Sequence, residues 1–455
     1  MSERKWFGTD GIRGVANRAP MTPELALRLG QVLGVAVRGA SGSHRPLILI
    51  GRDTRVSGPL LESALAAGAS SVGADVQLVG VLPTPAVARL TRELGAGAGV
   101  VVSASHNPFA DNGIKVFDSH GFKLGDDAEV AIEAELEKEG PSVRPIGGDI
   151  GRIGSFEDAE SRYLAYLLGT VTDRSDIAGK RIVFDGSHGA AFRVGPALFR
   201  ALGAEVEALG VAPDGVNINE GCGAVRPQAA AALVRATSAA VGVVVDGDAD
   251  RIVLVDETGE VVDGDEILAI LAAHRPQQVG RRLVGTVMSN MGLEVALRER
   301  GIELVRASVG DRYVLDEMRR CNSRVGGEPS GHIVLLDYGT TGDGLLAAIQ
   351  VLDVMASTGA PLSQLRRAMQ RMPQVLVNVR VRHRVALEEI PAIAAAMADV
   401  ERRLDGRGRL LVRYSGTEPL VRIMVEGVDA SEVRSLAERL GACIGAEIGE
   451  GDARR

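Results

Sequence analysis

The chain has 455 residues, a formal net charge of −8, 45% hydrophobic and 24% charged residues, and only 3% aromatics. That is the balance of a globular protein of several domains with aliphatic cores, and the negative total argues against a general nucleic-acid binder. Cys222, Cys321 and Cys443 have neither metal nor disulfide spacing, the first residues lack an apolar signal core, and no run reaches membrane-span length, so a cytoplasmic protein without a membrane partner is expected.

The opening stretch Phe7–Gly14 is Gly-rich and carries one arginine, Arg13, which reads equally well as a surface residue. Thr22-Pro23 has the form of a helix start and predicts a helix to about Val37. Pro46–Ile50 predicts a strand, Gly51–Arg55 the loop after it, and Leu60–Val72 a helix. Residues 72–83 are echoed by 202–213 and, more weakly, by 300–306. Each copy reads as a helix end, a glycine stop and a short strand. Ordinary helix-to-strand grammar produces such a pattern, and so does a series of three related α/β units.

The apolar run Gly99–Val102 ends abruptly in Ser103, Ala104, Ser105, His106, Asn107 and Pro108. A hydroxyl at a strand end suits covalent chemistry, but a turn whose Ser, His and Asn bond locally has the same composition. There is no Gly-x-Ser-x-Gly elbow, and sequence neighbours rarely face each other, which argues against a hydrolase Ser–His pair. The pattern does not choose between Ser103 and Ser105. Ser155–Thr170 predicts a connecting helix.

Val243–Val245 reads as a buried strand followed by Asp246, Asp248 and Asp250. Their period of two would turn all three carboxylates one way in an extended segment. They stand at a strand's C-terminal end, where open α/β sheets bind ligands, and hard oxygens suit Mg²⁺ or Ca²⁺. An EF-hand is disfavoured, because Arg251 stands where that loop needs glycine and the flanks are strand-like. Serine and carboxylates together suggest a phosphate-carrying serine beside a magnesium ion.

Gly259–Gly264 reads as a polar turn. In Gly326–His332, Glu328 and Ser330 can bind sugar hydroxyls and His332 can move a proton; an exposed Gly/Pro turn is the plainer alternative. After Met372-Pro373 the pattern changes to strand (375–381), helix (387–404), strand (408–413), strand (420–426) and helix (430–445), a small α+β unit. Between its last two strands Ser415, Gly416 and Thr417 offer N–H and hydroxyl donors, flanked by Arg413 and Arg422. This suits a phosphate, although Ser-Gly-Thr is also an ordinary hairpin turn.

Taken together, Phe7–Gly14, Ser103–Pro108, Asp246–Arg251, Gly327–His332 and Ser415–Pro419 resemble the α-D-phosphohexomutases in order and spacing over nearly the whole chain. Phe7–Gly14, Asn107–Lys115, Gly285–Glu294 and Val309–Val314 resemble the branch acting on glucosamine phosphates. The resemblance implies an α/β fold: three related α/β domains with mixed sheets plus a smaller C-terminal α+β domain around a central cleft. The domains are expected at 1–165, 166–262, 263–373 and 374–455.

The resemblance makes Ser105, directly before His-Asn-Pro, the phosphoserine. It puts one Mg²⁺ per chain on Asp246, Asp248, Asp250 and an oxygen on Ser105. Arg13 and Lys115 fall beside the reacting phosphoryl group, Glu328 and Ser330 on the sugar, and Arg413, Ser415, Gly416, Thr417 and Arg422 on the distal phosphate. Either Lys115 or His332 carries the proton. The implied reaction interconverts glucosamine 6-phosphate and glucosamine 1-phosphate, with glucosamine or glucose 1,6-bisphosphate as intermediate or activator, and supplies UDP-N-acetylglucosamine for the cell wall. Glucose or mannose specificity, or a non-catalytic phosphosugar-binding role, are the alternatives, and a homodimer is compatible with the resemblance. Two departures stand out. Pro329 replaces the Gln, Asn or Met usual there, removing an N–H and fixing φ. Asp185–Ala190 differs from the usual Asp-Cys-Ala-Asn-Gly-Ala and is expected to support its domain. The tail 449–455 is expected to be disordered.

Overall fold

A computed structural model describes residues 5–8, 10–41, 45–140, 144–171, 177–415 and 419–450. The chain divides into two compact units, residues 1–286 with 305–368, and residues 287–304 with 369–455.

The first unit contains a mixed seven-stranded sheet in the order Phe7–Gly8, Gly11–Val15, Asp111–Asp118, Ala98–Val102, Leu47–Arg52, Asp75–Val81, Ile153–Ser155. Ala98–Val102 runs parallel to Leu47–Arg52 and antiparallel to Asp111–Asp118. A second mixed sheet repeats the plan. Val241–Val245 runs parallel to Arg181–Asp185 and antiparallel to Ile252–Asp256. In a third, Val325–Gly327 runs parallel to Arg282–Thr286 and antiparallel to Ile333–Leu335. Each antiparallel hairpin therefore hangs on a parallel strand, and its tip is one of the sequence motifs.

The repeat noticed in the sequence has a structural basis. Helices Gly58–Ser71, Val194–Ala201 and Met291–Glu299 each precede a glycine, Gly73, Gly203 or Gly301, with φ between +70° and +89°. Each glycine leads into a strand, Asp75–Val81, Glu205–Leu209 or Glu303–Ala307. A left-handed residue ends a helix cheaply only when it lacks Cβ.

The first helix, Pro23–Ser41, runs a turn beyond its expected end, and the expected connecting helix spans Ala159–Gly169. With few aromatics, the cores are aliphatic. Helices Gly264–His274 and Gly344–Thr358 are buried over most of their length and pack together. No single helix among the described residues is long and apolar enough to cross a membrane.

The second unit contains the antiparallel sheet Gln374–Arg380, Leu420–Gly427, Gly408–Tyr414, with helices Pro391–Leu404 and Ala430–Ile448. Its element order is the predicted one. The expected disorder at 449–450 is corrected. Gly449 bridges to Val381, and the N–H of Glu450 donates to the Arg380 carbonyl at 3.2 Å. Residues 451–455 lie outside the described residues.

Candidate active site

Ser105 lies in the connection between Ala98–Val102 and Asp111–Asp118. It is fully buried at φ +52°, and its hydroxyl donates to Asp246 Oδ2 at 2.5 Å. Ser103, equally buried, faces elsewhere: its hydroxyl donates to Asp53 Oδ2 at 2.6 Å and accepts the Ser105 N–H at 2.9 Å. His106 Nδ1 is 3.2 Å from Ser105 Oγ, and burial, with Arg251 and Arg13 nearby, pushes its pKa down to about 4.

Asp246, Asp248 and Asp250 form the tip of the Val241–Val245/Ile252–Asp256 hairpin. All three are buried, and one carboxylate oxygen from each lies within 4.8 Å of the others. They converge for a different reason from the one expected. The segment is a turn, closed by the Ala249 N–H on the Asp246 carbonyl at 3.0 Å, with Ala249 at φ +57°. Burial, then repulsion from Asp250 and Asp248, pushes Asp246 up to about 8. Burial also opposes ionisation of Asp250, but Lys115 and His332 outweigh it and hold its pKa well below the usual range.

Lys115 reaches the triad from strand Asp111–Asp118. Its Nζ lies 2.8 Å from Asp248 Oδ2, 3.1 Å from Asp250 Oδ2 and 3.2 Å from Asp10 Oδ2. Burial works against its charge, but these three carboxylates keep it charged. Asp248 Oδ1 and Asp250 Oδ1 are buried and, among the described residues, accept no hydrogen bond. Orphaned carboxylate oxygens are costly unless a cation takes them. Three carboxylates and a hydroxyl are a hard oxygen set that fits a divalent cation. Arg13, on strand Gly11–Val15, pairs with Asp10 and donates to the Ala104 carbonyl at 3.4 Å and Asn107 Oδ1 at 3.3 Å, beside the serine loop.

Glu328 and Ser330 lie on the Val325–Gly327/Ile333–Leu335 hairpin tip. The Gly331 N–H closes the turn on the Glu328 carbonyl at 2.9 Å. Pro329 occupies the second position of that turn, where proline's fixed φ is favoured and no N–H is needed. Glu328 is buried, which raises its pKa, and it accepts the Gly310 N–H at 3.3 Å; Ser330 is exposed. His332 is buried, with Nδ1 3.8 Å from Asp250 Oδ2 and Nε2 accepting the Gly342 N–H at 3.1 Å. The same geometry brings together Ser105, Arg13, Lys115, His332 and the three Asp.

Several residues here carried no role in the sequence reading. Asp10 joins Arg13, Lys115 and Lys123, and Lys123 also pairs with Asp311, whose Oδ2 is 3.9 Å from His332 Nε2. Arg312 pairs with Asp126 and Glu129. Thus the stretch Val309–Val314 is tied by charge to the first α/β domain. The Asp185–Ala190 loop underpins the Asp246–Asp250 turn: Ser187 donates to the Val245 carbonyl, and the Ala190 N–H to the Gly247 carbonyl at 2.7 Å.

In the second unit, Arg413 and Arg422 stand directly opposite each other in the Gly408–Tyr414/Leu420–Gly427 ladder. Like charges across a ladder repel, so the pair favours an anion between them. Burial, and then Arg422, lowers the pKa of Arg413. Ser415 is buried, and its Oγ makes no hydrogen bond among the described residues. Gly416 and Thr417 lie outside the described residues.

Comparison with known proteins agrees with this arrangement. The sequence matches the phosphoglucomutase/phosphomannomutase family over alpha/beta/alpha domain I (residues 4–142), domain II (161–259), domain III (263–372) and the C-terminal domain (376–441). With three mixed α/β sheets, a small C-terminal domain and a serine facing an acidic triad, the chain belongs to this family, the phosphohexomutases.

Within the family its similarity is to phosphoglucosamine mutases. That of Pelobacter propionicus is 49% identical over 451 residues, covering 98% of this chain and 99% of the relative. That of Moorella thermoacetica is 53% identical over 436 residues, covering 95% and 97%. Among solved structures, a phosphoglucomutase/phosphomannomutase family protein from Burkholderia thailandensis matches with a TM-score of 0.79 at 24% identity, covering 97% of this chain and 99% of that one. The N-acetylphosphoglucosamine mutase of Aspergillus fumigatus, in complex with GlcNAc-6P and magnesium, matches with a TM-score of 0.62 at 18% identity, covering 97% and 96%.

Proposed function

We propose that this protein is an isomerase interconverting glucosamine 6-phosphate and glucosamine 1-phosphate, with Ser105 as the phosphoryl carrier. The observation that carries this reading is the Ser105 hydroxyl, buried and 2.5 Å from Asp246 in a triad with orphaned carboxylate oxygens. Nearly full-length relatives at about half identity bear that activity in their names.

In the mechanism we infer, phosphorylated Ser105 donates its phosphoryl group to the C1 hydroxyl of glucosamine 6-phosphate. The 1,6-bisphosphate turns over and returns its C6 phosphoryl group to Ser105. Asp246, Asp248, Asp250 and the oxygen on Ser105 would hold Mg²⁺, which neutralises charge on the transferring group. Arg13 holds the serine loop through Ala104 and Asn107 and adds positive charge there. The transfer balances when the C1 hydroxyl loses a proton and the leaving Ser105 Oγ gains one; we assign that exchange to Lys115, which is held charged and so gives its proton to Oγ and is restored by the hydroxyl. His332 is less suited, because Gly342 occupies its Nε2 and its Nδ1 faces Asp250. Glu328 and Ser330 bind the sugar. Arg413, Ser415, Gly416, Thr417 and Arg422 bind the phosphate that is not reacting.

A solved relative binds GlcNAc-6P with magnesium, and a point variant of the same protein binds glucose 1,6-bisphosphate, which supports both the metal and the intermediate. We place the enzyme in the cytoplasm, where its product would supply UDP-N-acetylglucosamine. Peptide mass mapping tests the carrier. Phosphate should map to Ser105 and disappear when sugar monophosphate is added in excess with Mg²⁺. Phosphate on Ser103, or turnover by an enzyme that is never phosphorylated, would contradict the reading.

A further inference from the structure

The phosphoserine reading leaves open how the serine is aimed. Ser105 has a left-handed backbone, which is strained for a non-glycine residue and persists only when the surroundings over-determine it. The surroundings here are specific. Arg55 Nη2 donates to the Ser105 carbonyl at 2.9 Å and the Asn107 carbonyl at 2.8 Å, and Nη1 donates to the Pro108 carbonyl. Asn219 Nδ2 donates to the same Ser105 and Asn107 carbonyls, at 2.9 and 3.1 Å.

Both clamping groups are themselves fixed. The Arg55 side chain is fully buried against an equally buried Asp53, with Nε 2.8 Å from Oδ2. Asp53 also accepts the Ser103 hydroxyl, and Ser103 accepts the Ser105 N–H. Asn219 uses only its donor end, since its Oδ1 is buried without a hydrogen bond among the described residues. Both backbone polar groups of Ser105 are therefore held from outside the serine loop or by Ser103. What remains free is side-chain rotation, and it brings Oγ to Asp246.

From this geometry we infer that Arg55 and Asn219 are positioning residues for the phosphoryl carrier, acting through the Ser105 carbonyl. The inference rests on the phosphoserine reading above. Neither side chain bonds to Oγ, so neither is catalytic. Arg55 comes from the loop after Leu47–Arg52, and Asn219 lies among the residues matching domain II, so two domains hold one carbonyl. A misaimed donor loses its near-attack geometry while substrate binding is untouched.

The test uses the full-length phosphorylated protein with Asn219→Ala, Asn219→Asp and Arg55→Lys. Asn219→Asp keeps the shape but cannot donate, and Arg55→Lys keeps a cation on Asp53 but cannot span three carbonyls. The readout is single-turnover discharge of phosphoserine to glucosamine 6-phosphate, followed by intact mass and normalised to phosphorylated enzyme. The discharge constant should fall about 10- to 100-fold with KM changed less than about twofold. A merely structural role would lower melting temperature and yield but leave the normalised constant at the wild-type value, and that result overturns the inference. Should Arg55→Lys not fold, the Asn219 variants decide. Failure of the wild type to carry phosphate on Ser105 would instead defeat the phosphoserine reading.

Discussion

Ser103 and Ser105 stand two residues apart at the end of one strand, and burial does not tell them apart. Their partners do. Ser105 Oγ points to Asp246, while Ser103 Oγ is spent on Asp53 and on the Ser105 N–H. Ser105→Ala should therefore abolish nearly all turnover. Ser103→Ala removes no reacting atom but strands a buried N–H, so it should cost about 1–3 kcal/mol of stability and leave substantial activity. Steady-state rates with urea unfolding check this; equal loss of activity in both variants would contradict it. At the other motif, Arg413 and Arg422 face each other across a ladder. Arg422→Ala should mainly raise KM, because the phosphate we propose it binds is the spectator in both half-reactions. A loss confined to kcat would speak against that role.

Among the described residues three hairpin tips carry the serine, acidic and Glu328–His332 motifs, and element geometry explains why. A hairpin tip is the one part of a sheet where several side chains can converge without disturbing the ladder. The cost is tight backbone. Gly331, at φ +90°, lies so close to the neighbouring hairpin that a Cβ would sit 1.8 Å from the Ile252 carbonyl oxygen. Gly331→Ala should therefore displace the Glu328–His332 turn from the acidic hairpin. The φ alone costs about 1–3 kcal/mol, with steric overlap added. Thermal unfolding measures the loss, and a variant as stable and active as wild type would refute the contact.

At this scale the sequence was readable where spacing is local. The order of the last five elements follows from alternating periodicity and turn residues, and the repeat from its glycines. The Asp triad was found, but for the wrong geometric reason. Period two suggested an extended segment, whereas a left-handed Ala249 folds it into a turn. Arg55 and Asn219 were invisible as a pair because they act across 50 and 114 residues on the Ser105 carbonyl, and backbone carbonyls leave no mark in a sequence; Asp53 acts across 50 residues on the Ser103 hydroxyl. Asp10–Lys123–Asp311 escaped for the same reason: an ion pair 188 residues long has no local pattern.

Over the whole molecule, one plan is used three times and then changed. Each of the three mixed sheets puts a hairpin beside a parallel strand, and the hairpins bring the serine, the acidic triad and the Glu328–His332 turn to one unit. The small antiparallel domain supplies two opposed arginines of its own. This division of labour suits a reaction that transfers phosphate twice at one serine while holding whichever phosphate is idle. The central claim is that this machinery serves an amino sugar phosphate. It is tested most directly by kcat/KM of the phosphorylated enzyme with Mg²⁺ and a trace of 1,6-bisphosphate, offering glucosamine 6-phosphate, glucose 6-phosphate and mannose 6-phosphate in turn. The account predicts the highest value for glucosamine 6-phosphate, by tenfold or more, a difference of about 1.4 kcal/mol in transition-state binding. A higher value for glucose or mannose 6-phosphate, or no turnover of any of the three, would contradict it.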